Sequence, residues 1–265
     1  MNILEKIIDY KRTEVAERKN LISESLLREN DLFKRPVFSL KEFLLDEGKT
    51  GIIAEFKRRS PSRGVINDRA DVSEITAGYT KFGASGLSVL TDEAFFGGSK
   101  EDLIKARENL IPILRKDFII DEYQIVEARA MGADVILLIA ACLTPEEVKY
   151  LAGFARKLDL EVLLELHAEE ELEHICDETE LVGINNRNLK TFAVDIERSL
   201  AMAKKIPSYK VKIAESGISS VENIRLFQQH GFKGFLIGEN FMKESNPVGA
   251  FEQFVNELNI QTNKA

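Results

Sequence analysis

The sequence predicts an α/β fold: a (β/α)8 TIM barrel with an N-terminal helical extension, in a single domain. Eight short apolar runs alternate with amphipathic stretches between residues 52 and 258, the βαβ rhythm of a parallel sheet. Most of these runs are nearly continuous in apolar residues, as strands covered on both faces must be. Eight such units in about 210 residues suit a closed barrel. The competing arrangement is an open doubly wound sheet, but no run is followed by a Gly-x-Gly-x-x-Gly turn.

The extension comes first (1–48), the barrel second (50–260), over the whole chain 1–265. Residues 3–18 place Leu4, Ile7, Ile8 and Val15 at a helical period. Ser39 opens a second short helix through Leu45, with Glu42 three residues on, as in a capping box. The strands are predicted at 52–56, 86–90, 111–115, 134–139, 160–165, 181–185, 210–214 and 233–237. Helices are predicted near 71–82, 100–108, 122–131, 145–157, 168–175, 195–205, 219–229 and 247–258, with a frayed tail after Ile260. In a closed barrel the two leading helices either cover the bottom or reach over the top, and the sequence leaves both open.

Composition narrows the function. The chain has 265 residues, 44% of them apolar, enough for one large core. There is no apolar run of about 18 residues, so no membrane span is expected. The first twelve residues interleave charges with apolar positions, unlike a secretory signal. Cys142 and Cys176 form no framework or metal spacing and read as reduced and structural. His167 and His174 stand seven apart, which is not a usual zinc spacing. The net charge of −8 argues against nucleic-acid binding. Against that acidic background, Lys57, Arg58, Arg59, Arg63, Lys116 and Arg187 stand at strand ends and suggest an anionic small molecule. The expectation is a cytoplasmic protein, a monomer or weak homo-oligomer, that handles a phosphorylated small molecule and neither nucleic acid nor membrane.

A barrel carries its chemistry at the C-terminal ends of its strands. Side chains alternate along a strand, so Ile53, Glu55 and Lys57 share a face, as do Leu114 with Lys116, Leu163 with Glu165, Gly183 with Asn185 and Ile213 with Glu215. Each time a buried apolar or small position is followed, two residues on, by a polar one. A single polar residue at a strand end is ordinarily the start of a solvated loop. Six that share the inward parity form a mouth of three carboxylates, two ammoniums and an amide, provided the register holds. Unit charges about 4 Å apart interact by about 4 kcal/mol at an effective dielectric of 20, enough to move pKa values by units. A lysine lowered or a glutamate raised would serve as acid or base near neutrality. The mixture suits proton transfers around a carbonyl; a Schiff-base lysine is the competing chemistry.

A phosphate signal stands apart. Strand 7 ends in Ala214-Glu215-Ser216-Gly217-Ile218-Ser219 and strand 8 in Ile237-Gly238-Glu239-Asn240. The loops after strands 7 and 8 and a short extra helix are a frequent phosphate site in barrels, and glycine lets the backbone approach the anion. Glu239 fits such a site only if its N–H faces the ligand and its side chain turns away. Phe118, Leu137, Leu189 and Ile218 offer apolar walls for an aromatic ring.

These residues resemble the indole-3-glycerol-phosphate synthase family of tryptophan biosynthesis. The matching stretches are Ile53-Ala-Glu-Phe-Lys-Arg-Arg-Ser-Pro-Ser62, Leu114-Arg-Lys-Asp-Phe-Ile-Ile120, Gly132-Ala-Asp-Val-Ile-Leu-Leu-Ile139, Leu164-Glu-Leu-His167, Gly183-Ile-Asn-Asn-Arg-Asn-Leu189, Ala214-Glu-Ser-Gly-Ile218 and Gly238-Glu-Asn-Phe-Met242. The first is highly specific; the Glu-Ser-Gly and Gly-Glu pieces recur in other phosphate barrels. Asn186 stands where the family often has a small residue, and Asn188 where it often has Asp.

The resemblance implies a carbon–carbon lyase, a decarboxylase. Its substrate would be 1-(2-carboxyphenylamino)-1-deoxyribulose 5-phosphate and its product indole-3-glycerol phosphate, with loss of carbon dioxide and water and with no metal or organic cofactor. Carried over by position, Lys116 is the acid in ring closure, and Glu165 is a base or stabilises the developing cation. Lys57 holds the carboxylate or acts as the acid of the second step, and the two lysines' roles are exchangeable. Glu55 orients a lysine. Asn185 and Glu215 contact substrate hydroxyls and the anilinic nitrogen. Ser60 and Arg187 support the mouth, with Arg187 toward the carboxylate. Ser216, Gly217, Gly238 and Glu239 cradle the phosphate. Two other readings compete: a phosphoribosylanthranilate isomerase-like barrel, which would favour a Cys/Asp pair where this chain has Glu55 and Glu165, and a non-catalytic barrel that binds a phosphometabolite or a partner protein.

Overall fold

The structure is a computed structural model that describes residues 3–61, 63–188 and 193–262, with side chains through residue 260. Eight strands close a parallel barrel: β1 (Ile52–Phe56), β2 (Gly86–Leu90), β3 (Ile113–Lys116), β4 (Val135–Ile139), β5 (Glu161–Leu166), β6 (Leu181–Asn185), β7 (Val211–Glu215) and β8 (Phe232–Ile237). Each pairs with the next in parallel, and β8 closes on β1 with Ile52 opposite Phe235. The predicted (β/α)8 architecture and strand order therefore hold.

Alternation divides the core in two. Ile52, Ala54 and Phe56 face outward into the layer between strands and helices. Ile53, Leu114, Leu163, Leu181 and Ile213 face inward and fill the barrel. The register is the one the period of two predicts. The helices around the barrel are α5 (Val72–Lys81), α6 (Lys100–Ala106), α7 (Glu122–Ala130), α8 (Pro145–Lys157), α9 (Ile196–Ala203), α10 (Val221–Gln229) and α12 (Pro247–Thr262), with the single turn α11 (Glu239–Met242) after β8. Caps explain several starts: Asp71, Ser99, Asp121, Asp195 and Ser220 each accept an N–H of the first turn, and Thr144 with Glu147 forms a full capping box on α8.

Two predicted elements differ. Strand β3 begins at Ile113 rather than 111, because Pro112 has no N–H to give a ladder; its carbonyl instead accepts from Leu87. The stretch after β5 is a 3-10 helix, Glu169–His174, not an α-helix. The Glu171 carboxylate folds back to the N–H groups of His167 and Ala168, and His174 Nε2 lies 2.9 Å from the Leu143 carbonyl. Both ends are thereby pinned in a tighter turn.

The N-terminal extension takes both of the open positions. It comprises α1 (Ile3–Leu21), α2 (Glu24–Glu29), α3 (Asp31–Lys34) and α4 (Leu40–Leu45). Helix α4 plugs the bottom: Leu40 and Leu44 join the interior cluster, beneath Gly86 and Gly234, whose lack of side chains makes room for them. Helix α1 lies across the top. Its Lys11 is fully buried and pairs with Glu14 (2.6 Å), Asp92 (3.0 Å) and Asp117 (2.9 Å), the last two in the loops after β2 and β3. Asp117 also accepts from Thr91, Arg115 and the Phe118 N–H. A buried cation among carboxylates is tolerated only when so fully paired.

Candidate active site

The inward parity carries the predicted polar residues to one place. Glu55 and Lys57, Lys116, Glu165, Asn185 and Glu215 all line a cavity of about 470 Å³ at the C-terminal ends of the strands. Its volume suits a small ligand.

Lys116 sits between two carboxylates. Its Nζ donates to Glu165 Oε2 at 2.6 Å and to Glu215 Oε2 at 2.8 Å. Burial alone would lower its pKa, but Glu165, Glu215 and Glu55 together outweigh burial and raise it. The lysine is therefore an ammonium throughout the working range. Burial would push Glu165 up, yet Lys116 and His167 hold it well below the usual carboxylate range. Glu215 goes the other way: burial, then the like charge of Glu165, raise it to about 8 against the pull of Lys116. One ion triad thus contains a charged donor, a charged acceptor and a carboxyl group that keeps its proton at neutrality. The group tuned toward neutral pH is Glu215, and the lysine is shifted up, not down.

Lys57 reaches back to Glu55 at 2.5 Å. Asn185 Nδ2 donates to Glu165 Oε1 at 3.1 Å, and its own Oδ1 accepts the Arg187 N–H. Ser60, Ser216, Gly217, Gly238 and Glu239 also line the cavity. Ser216 and Gly217 both have left-handed backbone, φ 67° and 69°, a conformation a serine rarely holds. It is pinned by Asn186, whose side chain donates to the Ser216 carbonyl at 2.7 Å. Gly238 is required by Glu55: a Cβ there would lie 2.6 Å from Glu55 Oε1. The Glu239 side chain turns to Arg63 (3.0 Å) and Arg187 (3.4 Å), so Arg187 stands beside the turn after β8. Phe118, Leu137 and Ile218 line the apolar part. Leu189 lies outside the described residues.

A model of the family described as indole-3-glycerol phosphate synthase matches residues 4–254 of the chain. The chain belongs to that family. An indole-3-glycerol phosphate synthase of Bacteroides thetaiotaomicron is 47% identical over 258 residues, covering 97% of this chain and 99% of that protein. One of Bordetella pertussis is 43% identical over 251 residues, covering 93% and 96%. Among solved structures, the tryptophan synthase subunit alpha of Legionella pneumophila superposes with a TM-score of 0.62 at 13% identity, covering 85% of this chain and 98% of that one. That likeness concerns the fold alone.

Within this indole-3-glycerol phosphate synthase family member, sequence reasoning missed several cavity residues. His167 is buried on the wall with Nε2 3.0 Å from Glu165 Oε1. It continues the inward period from Leu163 through Glu165, so alternation alone could have flagged it. Ile3, Leu4 and Ile7 of α1 and Phe96 of the loop after β2 also line the cavity. No periodicity could place them there, because which end of the barrel α1 covers is decided by the Lys11 pairing.

Proposed function

We propose that the chain carries out the reaction of its family, converting 1-(2-carboxyphenylamino)-1-deoxyribulose 5-phosphate to indole-3-glycerol phosphate, carbon dioxide and water. The observation that carries the reading is Lys116 held between Glu165 and Glu215 inside the one cavity that also contains Lys57 and the Ser216-Gly217 and Gly238 loops.

Each part of the substrate has a counterpart. The phosphate meets the glycine loops after β7 and β8, where backbone N–H groups can approach an anion. The carboxylate meets Lys57, which exchanges its partner Glu55 for the substrate. The aromatic ring lies against Phe118, Leu137 and Ile218. The Lys116 ammonium points at the ketone and gives its proton to the oxygen as the ring carbon attacks. Glu165, ionised, stabilises the cation that develops on the anilinic side. Carbon dioxide then leaves as the electrons of the broken bond restore the aromatic system. Loss of water needs an acid for the departing hydroxyl, which Lys57 supplies, and a base for the ring proton, which Glu165 supplies. Glu215, still protonated at neutrality, donates to a substrate hydroxyl. Two carboxylates around Lys116 oppose a Schiff-base role, which needs a free amine.

The test is incubation with the anthranilate-derived ribulose phosphate while indole fluorescence is followed. The chain has no tryptophan, so the product's signal rises from a low background. A flat trace with intact substrate overturns the reading. We further propose that the enzyme works in the cytoplasm, where its two free cysteines stay reduced, as a monomer or weak homo-oligomer.

A further inference from the structure

Glu165 is held on both edges. Its Oε2 belongs to Lys116 at 2.6 Å. Its Oε1 lies 3.1 Å from Asn185 Nδ2 and 3.0 Å from His167 Nε2. His167 is itself fixed: its backbone N–H donates to Glu171 Oε2 at 2.6 Å. The imidazole is 7% exposed and lines the cavity; neither ring nitrogen makes an aligned hydrogen bond among the described residues, and Nε2 meets Glu165 Oε1 as a close contact. A buried histidine that brings Nε2 to 3.0 Å from a catalytic carboxylate inside the cavity is not explained by packing alone.

We infer that His167 is a positioning residue for Glu165: its imidazole, with Asn185, fixes the Oε1 edge and so reserves the Oε2 edge for Lys116 and the reacting substrate. The inference deepens the reading above and rests on Glu165 serving in ring closure and dehydration. The charged groups around the ring agree with it. Glu165, Glu171 and Glu215 face His167, and Lys116 stands beyond Glu165; burial would lower the imidazole's pKa, but the bond to Glu165 and the three carboxylates raise it. Cys142, on the turn after β4, feels Glu165 and Glu171 too and, with burial the larger cause, is pushed up to about 12, so it stays a neutral thiol. Once protonated, the imidazole pairs with Glu165 across that 3.0 Å contact and strengthens its hold on a full negative charge.

The test compares pH profiles of kcat and kcat/KM for the intact enzyme, His167→Ala and His167→Gln. His167→Ala should lose about tenfold to a hundredfold in kcat, the cost of a misplaced group, with KM little changed. Its acid limb should move to higher pH by about half a unit or more, because Glu165 has lost a donor that favours its charged form. His167→Gln, which restores a donor without the charge, should recover most of the lost kcat. An acid limb that stays in place, or a loss confined to KM, overturns the inference. Ring 15N shifts of the unsubstituted enzyme give a second measure without turnover. His167 should titrate at higher pH than an exposed imidazole, and that titration should move down in Glu165→Gln; a titration indifferent to Glu165 also overturns the inference. An unsubstituted enzyme that makes no indole product sinks the proposed function instead, and the ring titration still tests the contact.

Discussion

At Lys116, burial and charge pull in opposite directions, and charge prevails. A buried ammonium with one carboxylate is close to break-even; with Glu165 and Glu215 both within 2.8 Å it is held firmly protonated. Lys116→Ala should lower kcat by about 10²–10⁴, the range for a positioned acid or base, in the indole fluorescence assay. Turnover close to that of the unsubstituted enzyme would remove Lys116 from the chemistry. The same mutation takes from Glu165 its ammonium partner, so the loss also carries the cost of an unpaired buried carboxylate. Glu215 gives a pH prediction of definite sign. Its folded pKa of about 8 lies above its ordinary 4.5, so between those values the folded state binds more protons than the unfolded one. Stability contributed by this group is greatest below about pH 4.5 and is lost as pH rises through about 8. Glu215→Gln keeps the shape and removes the titration; urea midpoints measured from pH 5 to pH 8 should fall less steeply in the variant. Parallel slopes would mean that Glu215 is ionised throughout.

Two elements show how local structure serves the mouth. Strand β6 carries Gly183 opposite the place where the Glu215 side chain crosses the barrel, and a Cβ at Gly183 would overlap Glu215 Oε1 and come within 3.2 Å of Leu163. Gly183→Ala should therefore push Glu215 off Lys116 and lower kcat; a far-ultraviolet dichroism spectrum like that of the unsubstituted enzyme, together with unchanged kcat, would show that Glu215 has another place to go. Helix α1 is fastened by Lys11 to Asp92 and Asp117, and Asp117 directly follows Lys116 in the chain. Lys11→Met strands two buried carboxylates, and breaking a buried pair on one side costs about 3–5 kcal/mol. Urea unfolding should report that loss, and amide exchange across residues 3–21 should speed up. Unchanged exchange there would show that apolar contacts alone seat the helix. Because Ile3, Leu4 and Ile7 wall the cavity, the clamp joins the packing of an appended helix to the shape of the site.

At the scale of the molecule, the barrel is sealed at one end by the extension and roofed at the other. Leu44 stands in the floor with Leu40, Ile53, Val211 and Ile213. Leu44→Ala should destabilise by about 2–5 kcal/mol, as a large-to-small core change does, read by urea unfolding. A cost near zero would mean that the bottom of the barrel collapses freely onto the gap. The strand order, the inward parity and the six polar residues at the mouth were legible in the sequence because a period of two is a local property of the chain. The glycines after β7 and β8 that line the cavity were legible as patterns at strand ends. The 3-10 turn after β5 was not, since its tightness comes from Glu171 and His174 bonding to segments outside it. His167 was legible in principle, as the next inward position after Glu165.

Alternation and composition by themselves determined that eight strands close with their charged ends on one side, and that Glu55, Lys57, Lys116, Glu165, Asn185 and Glu215 share a face. Only the tertiary structure decided which carboxylate each lysine meets, which glutamate keeps its proton, and that α1 roofs the cavity while α4 fills its floor. The physical reason is one of range. Side-chain direction is set within a few residues of chain, whereas pKa values and ion pairing depend on distances of a few ångströms between groups as far apart in sequence as Lys116 and Glu215.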